Sequence, residues 1–124
     1  VSPRPSKWKD LGAALLLGLP PENPIQQLVE SHLRAVGSAA IVEQRFNHLH
    51  TLLAMVESGA GVAVMPDFVA SAASRYRVSF ERLRTPLVAV DFYEITKAGR
   101  PGNDLLNDFG ACLVQAFELH RRTR

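Results

Sequence analysis

The sequence predicts an α/β fold, with a mostly parallel sheet flanked by helices. Short apolar runs of strand length alternate along the chain with stretches whose apolar residues recur at helical spacing. Gly, Pro and Asn stand at the junctions, where helices stop and start. The first strand candidate is apolar at every position, as expected of a strand covered on both faces.

Residues 1–6 are Pro-rich and read as an extended linker. Ser6 is placed to cap a short turn through Asp10. Residues 13–17, AALLL, form the first strand candidate, although their Ala and Leu content also suits a helix. The loop GLPPENP at 18–24 follows. Asn23 is a good N-cap and Pro24 a good first helical residue. Ile25, Leu28, Val29, Leu33 and Val36 then share one helical face, and Gly37 ends the helix. Residues 39–44 are the second strand candidate, and Asn47 is placed to cap the next helix.

Leu49, Leu52, Leu53 and Val56 form the apolar stripe of that helix. Gly59 stops it, because the residue after a helix commonly needs positive φ. The Val-rich run 61–65 reads as a third, buried strand. Pro66 and Asp67 close that strand and open a short helix through residue 75, with Phe68 and Val69 facing inward. Residues 77–84 read as irregular. Residues 86–95, rich in Val, Phe, Tyr and Ile, read as a long strand. After a loop at 99–103, Asn103 or Asp104 caps a final amphipathic helix. Leu105, Leu106, Phe109, Leu113, Ala116 and Phe117 lie on one face of it.

With 124 residues, 47% hydrophobic and 21% charged, the chain fits one globular domain or part of one. A net charge of +2 does not suggest a nucleic-acid surface. Arg121, Arg122 and Arg124 cluster at the C-terminal end, where cations suit a helix terminus. Cys112 is the single cysteine, so no intrachain disulfide forms; it reads as a buried, inert thiol on the apolar side of the last helix. The longest apolar run, 11–19, is too short for a membrane span. No signal peptide is expected. A start without Met implies a chain processed or cut from a longer protein.

The segment LHTLLAMVESGAGVAVMP at 49–66 resembles the V-x-x-G-x-G-x-x-x-x-P segment of the effector-binding domain of LysR-type transcriptional regulators, through Val56, Gly59, Gly61 and Pro66. Trp8, Lys9, Asp10 and Leu11 are similar to the turn before that family's second-subdomain strand. The loop and helix at 23–37, the strand at 41–45 and the helix at 104–119 extend the likeness over essentially the whole chain. The resemblance implies half of a type 2 periplasmic-binding-protein-like fold. Residues 1–10 would be linker and crossover, 11–90 regulatory subdomain II, and 91–124 a crossover strand and C-terminal helix belonging to subdomain I. It implies a cytoplasmic regulatory domain that senses a small, anionic metabolite to control transcription. DNA would be read only through a helix-turn-helix absent from this chain. A stand-alone small-molecule binding module of the same architecture is the alternative.

In parallel α/β sheets the ligand crevice lies beyond the carboxyl ends of the strands. Candidate effector-binding residues there are Pro21, Asn23, Pro24, Ile25, Asn47, His48, Met65 and Pro66. The 20–24 loop enters a helix N-terminus, whose free N–H groups and dipole suit an anion; the other reading is an ordinary capped turn. His48 is either a donor to that anion or a polar surface residue. His48 and His50 do not share a helix face, and with no ligand set nearby neither a metal nor a cofactor is expected. Glu22, Glu43 and Glu57 are not paired for acid–base chemistry, so no enzyme is expected. The glycine segment follows a helix and precedes a strand, the reverse of a dinucleotide-binding loop. If the chain is a fragment, Leu105, Phe109, Leu113 and Phe117 lack their partner surface, which predicts a dimer or swapped assembly.

Overall fold

The computed structural model describes residues 5–99 and 102–122, so expectations for Pro3 and Arg124 lie outside the described residues. The chain forms two compact units, Val1–Ala89 and Val90–Arg124.

The first unit is a three-stranded parallel sheet with helices. Its strands are β1 (Leu16–Gly18), β2 (Val42–Arg45) and β3 (Val62–Ala63), in the order β2-β1-β3. Leu16 pairs with Val42 and Val62, and Leu17 with Gln44 and Ala63. All three β1 residues are buried, as a strand covered on both faces requires. Leu16 points to one face, where it packs with Trp8, Leu11, Val29 and Leu33. Leu17 points to the other, against Leu19 and Leu52. Alternation across a continuously apolar strand thus gives each flanking helix its own core. Helix α1 (Pro24–Ala35) covers the first face and α2 (Leu49–Glu57) the second.

Both helices end in the same way. Gly37 has φ +64° and Gly59 φ +83°. Around Gly37, the Ser38 and Gly37 N–H groups donate to Leu33 O and Arg34 O at 2.9 and 3.0 Å. Around Gly59, the Ala60 and Gly59 N–H groups donate to Met55 O and Val56 O at 3.1 and 3.0 Å. These are the paired bonds of a Schellman stop, which needs a residue at ease with positive φ. Helix α3 (Val69–Ala72) runs on into a 3-10 turn, Ala73–Arg75. Its Val69 and Ala73 meet Leu53 of α2 in a third cluster.

The chain enters and leaves this unit side by side. The Arg84 N–H donates to Ser6 O at 2.9 Å, and Lys7 and Arg84 form an isolated parallel bridge. The indole N–H of buried Trp8 donates to Pro86 O at 3.0 Å.

The second unit consists of residues 90–99 and helix α4 (Asp104–Arg122). Asn103 caps α4, its Oδ1 accepting the Leu105 N–H at 3.0 Å. The Phe92 ring stacks on Phe117 at 5.2 Å, and the Glu94 carboxylate lies against Gly110 where a Cβ would otherwise sit. Leu105, Phe109, Leu113 and Phe117 are 76, 60, 40 and 43% exposed. No helix among the described residues is long and apolar enough to cross a membrane.

Several expectations need correction. The first strand occupies 16–18 rather than 13–17, because a 3-10 turn at Trp8–Ala13 takes the residues before it. That turn is capped by Lys7, not Ser6: the Asp10 carboxylate accepts the Lys7 N–H at 3.1 Å. The second strand is 42–45, and the third shrinks to Val62–Ala63, half-buried, because β1 offers it only Leu16 and Leu17 as partners. Residues 86–95 join no strand among the described residues; β-prone side chains make no ladder without a neighbour to receive their backbone bonds. His48, not Asn47, is the cap residue of α2. Cys112 is exposed, because the apolar stripe that carries it is itself exposed.

Candidate functional site

Because the strands are parallel, the chain leaves β1, β2 and β3 at one edge of the sheet. Residues 19–23, 46–48 and 64–66 therefore gather there. Packing binds them: Phe46 and Met65 both rest on the cluster of Leu17, Leu19 and Leu52. A backbone bond reinforces this, the Phe46 N–H donating to Gly18 O at 2.9 Å. This is the edge at which parallel α/β sheets hold ligands.

The candidates fall into three groups. Pro21, Asn23, Pro24 and Ile25 sit at the start of α1, and Asn47 and His48 at the start of α2. Met65 and Pro66 are half-buried in the turn after β3. The two helix starts differ chemically. At α1, Asn23 Oδ1 accepts the N–H groups of Ile25 and Gln26 at 2.9 and 3.3 Å. Pro24 has no N–H, and Gln27 N–H is already bonded to Asn23 O at 2.9 Å. The expectation of free donors at this terminus is therefore corrected: its own cap takes them.

At α2 the opposite holds. His48 makes no side-chain cap bond, and the first bond into the helix is from Leu52 N–H to His48 O at 3.1 Å. The N–H groups of Leu49, His50 and Thr51 thus meet no acceptor among the described residues. Asn47 and His48 stand exposed beside them. His50 is turned elsewhere, its Nδ1 lying 3.1 Å from the Tyr76 hydroxyl.

Sequence reasoning missed three side chains that shape this edge. Gln26 is fully buried, and its Oε1 accepts the Leu19 N–H at 2.9 Å. Its Nε2 donates to Glu30 at 3.0 Å. Arg45 closes a ring, pairing with Glu30 at 2.8 Å and donating to Leu19 O at 3.1 Å. The hydrogen bond from Gln26 is the main cause that holds the Glu30 carboxyl below its ordinary pKa; burial opposes it, and Arg45 adds to the lowering. Gln26 and Glu30 are four apart on one helix, a spacing visible in the sequence. Arg45 lies 26 positions from Leu19, and only the strand pairing brings them together. Among the described residues, no three His, Cys, Asp or Glu side chains converge as a metal site would require.

A family model described as the LysR substrate binding domain matches residues 2–118. No curated protein matches the chain, and no solved structure does.

Proposed function

The chain belongs to the LysR substrate-binding-domain family, and on that premise we propose that it is the effector-binding regulatory domain of a LysR-type transcriptional regulator, sensing a small anionic metabolite. The observation that carries this reading is the start of α2. Three open backbone N–H groups, the positive end of the helix dipole, Asn47 and His48 share the edge where the three parallel strands end. Such an arrangement favours a carboxylate or another oxyanion. Asn23 serves this site as a structural cap, and Pro21, Pro24, Ile25, Met65 and Pro66 form its apolar surround.

Residues 11–90 act as regulatory subdomain II, with 1–10 as linker and crossover and 91–124 belonging to subdomain I. The ligand works by population shift, stabilising the arrangement of subdomains that it contacts best. DNA is read by the family's helix-turn-helix, in the cytoplasm. Self-association, general in this family, runs here through the exposed stripe of α4. A monodisperse monomer in light scattering at high concentration overturns that part.

The main test is a thermal-shift and calorimetric screen of small carboxylic acids against their neutral amides. The expected result is stabilisation by at least one acid and not by its amide, reduced in Asn47→Ala and His48→Ala. Stabilisation that these substitutions leave unchanged places the ligand elsewhere and overturns the assignment. So does a panel of acids with no effect.

A further inference from the structure

We propose that Gln26, Glu30 and Arg45 are positioning residues that hold the two loops of the effector edge at a fixed spacing, an inference that rests on the effector-site reading above. Leu19 is the first residue beyond β1, and both of its peptide groups are held by side chains. Gln26 Oε1 takes its N–H at 2.9 Å, and an Arg45 guanidinium N–H reaches its carbonyl at 3.1 Å. Glu30 joins the two holders, accepting from Gln26 at 3.0 Å and from Arg45 at 2.8 Å. The result is a closed ring spanning the β1 exit, α1 and the end of β2.

Arg45 is also the last residue of β2, and the next residue, Phe46, donates its N–H to Gly18 O at 2.9 Å. One residue therefore ties the loop that carries Asn23 to the segment that carries Asn47 and His48. The ring is built into the packing. A Cβ on Gly18 would come within 2.7 Å of Gln26 Oε1 and 2.9 Å of Val42 Cγ1, so Gln26 could not keep its present position beside a larger residue. A planar guanidinium is required as well. It offers a carboxylate and a carbonyl separate donors in fixed geometry, which the point charge of lysine does not.

The test is residue-resolved amide exchange on the chain without ligand, comparing wild type with Arg45→Gln and Arg45→Lys. The amides to read are Leu19, Asn23 and Phe46, with Val62 in β3 as the control. Losing one charge-assisted bond to a partly buried carbonyl should raise exchange at the three edge amides by about tenfold in Arg45→Gln. Val62, whose N–H is bonded to Leu15 O, should change much less. Arg45→Lys should keep the wild-type melting temperature, yet speed exchange at the same three amides. Edge amides that exchange as in wild type, or that rise only in step with Val62, overturn the proposal. Because no ligand is present, this outcome is separate from a failed acid screen, which overturns the effector reading and leaves the exchange pattern standing.

Discussion

Gly59 and Gly61 sit two residues apart in one motif, and the structure makes them indispensable for different reasons. Gly59 is conformational: its φ is +83°, and an added Cβ would meet nothing within 4 Å. Gly61 is steric. Its φ lies outside the left-handed region, but a Cβ there would strike the Leu15 carbonyl and come within 3.0 Å of Leu17 Cγ and 3.1 Å of Leu15 Cδ2. The Leu15 carbonyl is not free to retreat, since it accepts the Val62 N–H at 2.9 Å. Gly59→Ala places an L-residue in the left-handed region, at a cost of about 1–2 kcal/mol. Gly61→Ala must push β3 from β1. Overpacking costs about 1–3 kcal/mol, and breaking the Val62 bond beside a buried strand adds about 1–3 kcal/mol. Gly61→Ala should therefore cost about 2–6 kcal/mol, clearly more than its neighbour.

The assay is urea or thermal unfolding followed by fluorescence of Trp8. It is the single tryptophan and lies in the cluster against which Val62 packs. Asparagine separates the two mechanisms. It tolerates positive φ, so Gly59→Asn should be milder than Gly59→Ala. At position 61 it brings a larger side chain to the same obstruction and should be no milder than alanine. If Gly61→Ala costs no more than Gly59→Ala, or if Asn relieves position 61 rather than 59, the assignment of the two glycines is wrong.

Other outcomes follow from the same geometry. Leu52→Ala removes a fully buried side chain from between Leu17 and Leu19, and should lower stability by about 2–5 kcal/mol in the same denaturation assay. Asn23→Ala frees the Ile25 and Gln26 N–H groups and should cost about 1 kcal/mol, read as a lower melting temperature. Glu30 has a folded-state pKa below its ordinary 4.5, so its stabilising contribution is present above that value and is lost as pH falls through the lowered one. Acid melts of wild type and Glu30→Gln should therefore converge at low pH and separate above about 4.5; parallel curves across the range would show that Glu30 does not contribute in this way.

What the sequence made legible was the chemistry that acts within a few residues. Asn23 and Pro24 announce a helix start because the cap bonds reach only two and three positions along the chain. Gly37 and Gly59 announce helix ends because positive φ is a property of one residue. The apolar run before Gly18 announces a strand buried on both faces. Strand boundaries were not legible in the same way. A ladder ends where its partner ends, so the Val-rich run 61–65 contributes only Val62 and Ala63 to a neighbour whose paired residues there are Leu16 and Leu17. Residues 86–95 have the composition of a strand and no neighbour among the described residues.

The candidate site shows the same division more sharply. Periodicity put Ile25, Leu28 and Val36 on the buried face of α1 together with Val29 and Leu33, yet the fully buried residue of its first turn is Gln26. An unpartnered amide there would be costly, so a pattern read one residue at a time places Gln26 outside. It is inside because the Leu19 N–H and the Glu30 carboxylate satisfy it, and Glu30 is paired in turn with Arg45. Buried Gln26 is tolerable only with such partners, and the ring that supplies them spans the β1 exit, α1 and the end of β2. The start of α2 inverts the logic. Its lack of a side-chain cap is a local feature that leaves three N–H groups unanswered where three strand ends converge. At α1 the chain closes the donors with its own asparagine, whereas at α2 no side chain among the described residues does so.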